Sequence, residues 1–347
     1  MKYRRLGKTD VKVSLICLGT MTWGEQNTQD QAFEQMDYAL EQGVNFFDTA
    51  ELYSIPPNAA TYGSTETIIG NWLKARGKRE QIVLASKIAG PGPGWVDHIR
   101  KGQSRFDRGN IESAVNDSLK RLQTDYIDLY QLHWPERKTN FFGHLGYQNA
   151  EPDDFTPMED TLQALAAEVE KGKIRYIGLS NETPWGVMRF IETAERLGLP
   201  RIVSVQNPYN LLNRSYEVGL AEVSQRESAG LLAYSPLGFG VLSGKYVNDA
   251  RPEGARITRW PDYKRYMTEQ AVAATEEYVA LAHAHGLSPA QMALAYINSR
   301  PFVTANIIGA TTMDQLKMNI ASIDLKLDDT VMGAIEEIHT RYPNPSP

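Results

Sequence analysis

One cysteine in 347 residues leaves no disulfide framework to build, and Cys17 itself lies inside the apolar run SLICLG. That usage fits a reducing, cytoplasmic setting. No stretch approaches the roughly 20 apolar residues that a membrane helix needs, so no membrane span is expected. The opening MKYRRLGKTDVKVS is basic but leads into no signal-peptide core, and the sequons at Asn181 and Asn213 therefore carry no expected glycan. Six histidines occur without an HExxH helix or a Cys/His array, and His283 and His285, two apart on a helix, would face different ways. No metal is expected. The formal charge is −6 with lysine and arginine scattered, which removes the basic stripe that a nucleic-acid partner requires.

Also missing are a linker, a composition shift and a repeat at a fixed period of about 20–50 residues. Length alone suggests about two domains at roughly 150 residues each; the uninterrupted pattern predicts one, residues 1–347. Phosphate loops are weakly represented. GFGVLSGK is no Walker loop, because Gly240 and Gly244 are separated by three residues and Lys245 is followed by Tyr246; GFGVLS lacks the third glycine of a dinucleotide fingerprint.

What the chain does have is alternation. After an N-terminal hairpin in YRRLGKTDVKVS, short apolar runs alternate with amphipathic helices, the pattern of right-handed βα units around a parallel sheet. SLICLG, VNFF, QIVLASK, YIDLYQLH, IRYIGLS, RIVSVQ, LLAYS and VTANIIG are the strands, enough to close a (β/α)₈ barrel. Thr28-x-x-Gln31 and Thr156-Pro-Met-Glu159 predict capping boxes, the second with proline at the first helical position; Ser64 and Thr312 predict further caps, and Gly43 and Gly172 predict helix ends.

Long loops follow the second, third, fourth and seventh barrel strands, so they share the rim where barrel enzymes keep their chemistry. Trp95, Trp134, Phe141, Phe142 and Tyr147 either line an apolar pocket there or form covering clusters beneath the loops.

The stretch VNFFDTAELY ends a buried strand in Asp48 and supplies Tyr53 five residues on. Strands ending in Lys87 and His133 would bring four polar side chains together on one face. A phenol, whose ordinary pKa is about 10, is a poor acid near neutrality, and a neighbouring ammonium favours phenolate. Lys87 is read as that cation, Asp48 as its counterion, and His133 as a hydrogen-bond donor to a substrate oxygen. Taken singly, each is an ordinary loop-capping or ion-pairing residue.

These residues are also where the chain resembles the aldo-keto reductases, whose Asp, Tyr, Lys, His tetrad matches Asp48, Tyr53, Lys87 and His133. GLGTMTWGEQ, SLKRLQTDYIDLYQLHWP, GKIRYIGLSNE, VQNPYNLLNR, YSPLGFGVLSGKY and GATTMDQLKMNI look like successive motifs of that family, several resembling its bacterial Tas-type branch. The resemblance implies NADPH lying across the rim, with Gly19, Thr20 and Met21 beside it. Its nicotinamide would sit near Ser180, Asn181 and Gln206, stacked on Tyr234. It further implies phosphate contacts from Ser235, Leu237, Gly238, Gly244 and Lys245, and adenosine-end contacts from Arg256, Gly309, Thr311, Gln315 and Asn319. Residue chemistry is compatible: amides and hydroxyls satisfy a carboxamide, a tyrosine face stacks on a flat ring, and glycines admit phosphate to the backbone. Read without the resemblance, Tyr234 is equally a core residue and GFGVLSGK a flexible turn.

One departure stands out. Some branches hold the 2′-phosphate with a lysine and an arginine in the final motif, where this chain has Gly309 and Gln315, so the charge is expected from Arg256. The implied activity is NADPH-dependent reduction of small aldehydes or ketones, with Tyr53 as proton donor and Trp23, Trp95 and Trp134 at the substrate. The rivals are a nucleotide-sensing module resembling channel β-subunits and a Schiff-base aldolase built on Lys87.

Overall fold

A computed structural model describes residues 1–148 and 153–346. Strands β1 (Tyr3–Arg5) and β2 (Lys12–Ser14) form the expected antiparallel hairpin, Tyr3 opposite Ser14. Eight strands follow: β3 (Ile16–Gly19), β4 (Phe46–Asp48), β5 (Val83–Ile88), β6 (Ile127–Leu132), β7 (Ile174–Ser180), β8 (Ile202–Pro208), β9 (Gly230–Tyr234) and β10 (Val303–Ile308). Each pairs in parallel with the next, and β10 returns to β3 to close the barrel.

Around the barrel run α1 (Gln29–Glu41), α2 (Ser64–Arg76), α3 (Arg108–Leu122), α4 (Met158–Glu170), α5 (Pro184–Leu197) and α6 (Leu220–Glu227). The loop after β9 carries the short α7 (Arg256–Arg259), and α8 (Glu269–Ala284), α9 (Pro289–Ser299), α10 (Met313–Ala321) and α11 (Asp329–Arg341) complete the chain. Among the described residues, no helix is long and apolar enough to cross a membrane. The loop expected after β6 includes residues 149–152, which lie outside the described residues.

Thr28 and Gln31 form the expected capping box, and Thr312 accepts from the Gln315 amide. Two caps differ from expectation. Ser64 is already helical, with left-handed Gly63 ahead of it at φ 74°. Thr156 gives both its amide and its hydroxyl to Glu136 Oε1, at 2.9 and 3.1 Å, so Pro157 stands at the cap position and α4 starts at Met158.

Residues two apart on a strand share a face. Phe46, Ala85 and Leu129 thus enter the barrel with Cys17, Leu232 and Ala305 as an apolar layer, met from below by Leu6 and Val13 of the hairpin. Their neighbours Phe47, Leu84 and Tyr130 face the helices, Phe47 meeting Trp72 of α2 at 5.8 Å between rings. Two residues beyond the apolar layer, the same inward faces of β4, β5 and β6 present Asp48, Lys87 and Gln131. The floor of the barrel is greasy and its mouth is polar.

Candidate active site

Lys87 is fully buried, and its Nζ donates to Asp48 Oδ2 at 2.7 Å and to the Thr49 carbonyl at 2.8 Å. The other carboxylate oxygen, Asp48 Oδ1, accepts from Gln206 Nε2 at 2.8 Å and Gln131 Nε2 at 3.3 Å. Thr20, at the end of the neighbouring strand, donates its hydroxyl to the Asp48 carbonyl at 2.8 Å. A buried ion pair is stabilised when further hydrogen bonds satisfy its remaining donors and lone pairs, and here the Thr49 carbonyl and the two glutamine amides supply them. Lys87 Nζ lies 5.0 Å from the Tyr53 ring centroid, and the ring meets His133 edge-on at 5.7 Å. All four strand-end residues therefore converge.

The electrostatics correct one expectation. Burial pushes the Tyr53 phenol up and outweighs the downward pull of Lys87, so its pKa lies above, not below, the ordinary value. Burial also works against the Lys87 ammonium, but Asp48 and Tyr53 overcome it and hold the pKa above its usual range. His133 is driven well below its ordinary value, first by burial and then by Lys87, and is a neutral imidazole at pH 7. Its Nδ1 is buried with no hydrogen-bond partner among the described residues.

Above this cluster sits an aromatic rim. Trp134 is fully buried, donates from Nε1 to the Pro91 carbonyl at 2.8 Å, and packs against Trp95 at 4.9 Å and Phe142 at 5.7 Å. Gly90 makes this possible, since a Cβ there would lie 2.5 Å from the indole nitrogen. Phe141 and Phe142 join the cluster that holds Tyr53, whereas Tyr147 is 69% exposed and stands apart. Trp23, expected with the pocket residues, is instead fully buried in the main core, its indole donating to Gln35 Oε1 at 3.0 Å.

Beside the polar cluster, Ser180 Oγ donates to the Gln206 carbonyl at 2.8 Å, and Asn181 Nδ2 donates to the His133 carbonyl at 2.8 Å. Tyr234 OH donates to Asn181 Oδ1 at 2.6 Å. The loop after β9 then runs through left-handed backbone at Ser235, Gly238, Phe239, Gly240 and Gly244. Lys245 folds back over Gly240, where a Cβ would lie 2.6 Å from its Cε. Arg256 lies 5.0 Å from the Phe239 ring centroid. Met21 and Leu237 are partly buried, the first against the rim cluster and the second against the main core. A Cβ at Gly19 would meet Ile307 at 2.8 Å, so that glycine serves strand packing. After β10, Gln315 Oε1 accepts from Thr311 N and Oγ1 at 2.9 and 3.1 Å, and Asn319 Nδ2 donates to the Gly309 carbonyl at 3.0 Å. Asn319 Oδ1 is buried with no hydrogen-bond partner among the described residues.

The aldo/keto reductase family model matches residues 15–340. The chain belongs to that family. It is 54% identical over 347 residues, all of both chains, to protein Tas of Escherichia coli strain K12. An uncharacterized oxidoreductase, YrpG of Bacillus subtilis strain 168, is 34% identical across 99% of this chain and 97% of its own. A probable voltage-gated potassium channel subunit beta of Arabidopsis thaliana is 31% identical across 97% of this chain and 96% of its own.

Three features of this aldo/keto reductase escaped the sequence reading. Gln131 binds the Asp48 carboxylate, and its spacing of two from His133 on one strand was the available signal. Glu51, fully buried, accepts from both terminal nitrogens of Arg100 at 2.8 Å and from the Ala89 amide at 2.6 Å, pinning the loop that carries Trp95 against the turn that carries Tyr53. Arg265 reaches the rim from the loop after β9, and nothing local distinguishes it from that loop's other cations.

Proposed function

We propose that this member of the aldo/keto reductase family is an NADPH-dependent carbonyl reductase in which Tyr53 protonates the substrate oxygen. The observation that carries the reading is the buried Lys87 ammonium, held at 2.7 Å by Asp48 and placed 5.0 Å from the Tyr53 ring beside a neutral His133. Bound NADPH would supply a hydride for the carbonyl carbon. The Tyr53 phenol, kept protonated by burial, gives its proton to the developing alkoxide, and the adjacent ammonium stabilises the phenolate left behind. His133, being neutral, carries one ring proton to donate to the carbonyl oxygen. The raised phenol pKa extends this acid's working range upward in pH.

The residues present suit the cofactor. Asn319 Oδ1 is a buried acceptor with no partner, suited to an exocyclic amine, and Gln206 Oε1 takes no hydrogen bond from any described residue while its amide is fixed on Asp48. Ser180, Asn181 and Gln206 would hold the carboxamide, Tyr234 would stack on the ring, and the left-handed turn Ser235 to Gly244 would turn backbone amides toward phosphate. Lys245 and Arg256 would supply the positive charge, Arg256 at the 2′-phosphate.

Steady-state NADPH oxidation against a panel of aldehydes and ketones tests the reading; a protein that binds NADPH yet reduces none of them sinks it. That outcome would favour the nucleotide-sensing alternative; a probable voltage-gated potassium channel subunit beta is among the chain's relatives. An aldolase is disfavoured, because a Schiff-base lysine needs a depressed pKa and Lys87 has a raised one.

A further inference from the structure

We propose that Glu51 and Arg100 are positioning residues that set Tyr53 over the Lys87 ammonium, so that their loss is felt in proton transfer and not in cofactor binding. The proposal rests on the carbonyl-reductase reading and adds to it two residues that do not touch the reacting atoms.

The turn that carries Tyr53 leaves the barrel without leaving β5. Strand pairing between β4 and β5 ends with Asp48 opposite Ala85. Past that point the Thr49 amide still donates to the Ala85 carbonyl at 2.9 Å, and the Glu51 amide to the Lys87 carbonyl at 3.2 Å. In a regular parallel ladder the Ala89 amide would next meet the Glu51 carbonyl. It meets the Glu51 side chain instead, donating to Oε1 at 2.6 Å. The carboxylate stands in for the last backbone acceptor of the ladder, and the chain then turns, with the Tyr53 amide on the Ala50 carbonyl at 3.1 Å.

A carboxylate in that place brings a buried charge, and the loop after β5 answers it. Arg100 donates from both terminal nitrogens to Glu51 at 2.8 Å and from one of them to the Ala89 carbonyl at 3.1 Å; the Tyr62 hydroxyl adds a bond to Oε2 at 3.1 Å. The two-pronged contact fixes the plane of the carboxylate, which a single contact would leave free to turn. Arg100 itself holds left-handed backbone at φ 46°, disfavoured for a residue with a Cβ and stabilised here by its side-chain bonds. Ile99 and Val96 of the same loop are buried in one apolar cluster with Ala89, Trp134 and Tyr53. Tyr53 is thus fixed twice, through the backbone of its turn and through the packing of its ring.

Of the four clustered residues, Tyr53 most needs such a device. Asp48 and Lys87 belong to β4 and β5, and His133 follows β6 directly with its amide on the Ile88 carbonyl at 3.0 Å, whereas Tyr53 lies beyond the end of β4. Proton transfer is steep in distance, and a misplacement of about 1 Å can cost about 100-fold in rate.

The test uses Arg100→Met and two double variants, Glu51→Leu/Arg100→Met and Glu51→Gln/Arg100→Met. The single change strands the Glu51 carboxylate and should lower both the denaturation midpoint and kcat, while the doubles strand no charge and should recover much of the midpoint. In the Leu/Met double, kcat for aldehyde reduction should stay about 10- to 100-fold below wild type. Its NADPH Kd should be unchanged, and its solvent deuterium isotope effect on kcat should rise as proton transfer becomes the slow step. The Gln/Met double keeps an acceptor for the Ala89 amide and should regain part of kcat; Arg100→Lys, which keeps the charge but not the fork, should lose less than Arg100→Met. Doubles that regain wild-type kcat along with the midpoint would reveal a merely structural ion pair and overturn the proposal. So would a loss carried by NADPH affinity, or an unchanged solvent isotope effect. Amide hydrogen exchange across residues 49–53 and 87–90 reads the clamp without turnover and should quicken in the Leu/Met double. If the wild-type protein reduces no carbonyl, the reductase reading fails while quickened exchange upholds the clamp; unchanged exchange overturns the positioning whatever the turnover.

Discussion

The barrel mouth and the loop after β9 place positive charge in opposite ways. At the mouth, the Lys87 ammonium is fully buried and answered within the protein by Asp48 and the Thr49 carbonyl, and the second carboxylate oxygen is held by two glutamines. On the loop, Lys245, Arg256 and Arg265 have no carboxylate partner among the described residues. Burial and then Arg256 push the Lys245 ammonium down from its usual range, and burial does the same to Arg256. The first arrangement is complete before any ligand arrives, as preorganised chemistry requires. The second leaves its charge unanswered by any carboxylate among the described residues, as the proposed nucleotide site would require.

The largest expected effects break the first region. Lys87→Met removes the cation beside Tyr53 and strands the Asp48 carboxylate in the barrel, so carbonyl reduction should fall by about two to four orders of magnitude. Breaking a buried pair from one side should also cost about 3–5 kcal/mol, visible as a lower denaturation midpoint. Tyr53→Phe should match the loss of turnover without stranding a charge, leaving the midpoint and NADPH affinity close to wild type. Near-normal reduction by either variant would remove the proposed mechanism.

Much of that region was legible in the sequence, because strand ends can be read from apolar runs and a parallel barrel gathers strand ends on one face. What escaped depended on distance in the chain or on burial. Thr156 reads locally as a helix cap, yet Glu136, twenty residues earlier, takes its hydroxyl. Trp23 reads as a rim residue, yet the hydrogen bond to Gln35 draws it into the core. The shift of Tyr53 came out with the wrong sign because a neighbouring lysine can be inferred from a motif, while the desolvation that outweighs it cannot. The loop cations were legible as residues and illegible as a group: which of them find carboxylates is a property of the fold.

The next effects divide the second region. Arg256→Ala should weaken NADPH by about 10- to 150-fold, the worth of a charge-assisted hydrogen bond, and leave NADH nearly unchanged if this guanidinium meets the 2′-phosphate. Titration of the variant with both nucleotides checks it, and equal losses would place Arg256 nearer the pyrophosphate. Lys245→Ala should weaken both nucleotides together by about tenfold.

The smallest effect concerns Lys245 and pH. In the free protein its pKa lies below 10.5, lowered by burial and by Arg256. A bound phosphate favours the ammonium and raises that pKa, so binding takes up a proton wherever free Lys245 has already lost its own. The sign follows. Affinity is full below the free pKa, declines as pH rises through it, and levels off above the bound pKa, with a slope of at most about tenfold per pH unit for one proton. Above pH of about 7.5, a phosphate monoester with a second pKa near 6 is fully ionised and adds no proton of its own. Calorimetric Kd values for NADH and NADPH across the alkaline range should therefore rise in parallel in the wild type. They should stay flat over that interval in Lys245→Arg, whose side chain remains charged. A decline that persists in Lys245→Arg would assign the titration to another group, and a flat wild-type profile would mean that Lys245 stays away from the phosphates.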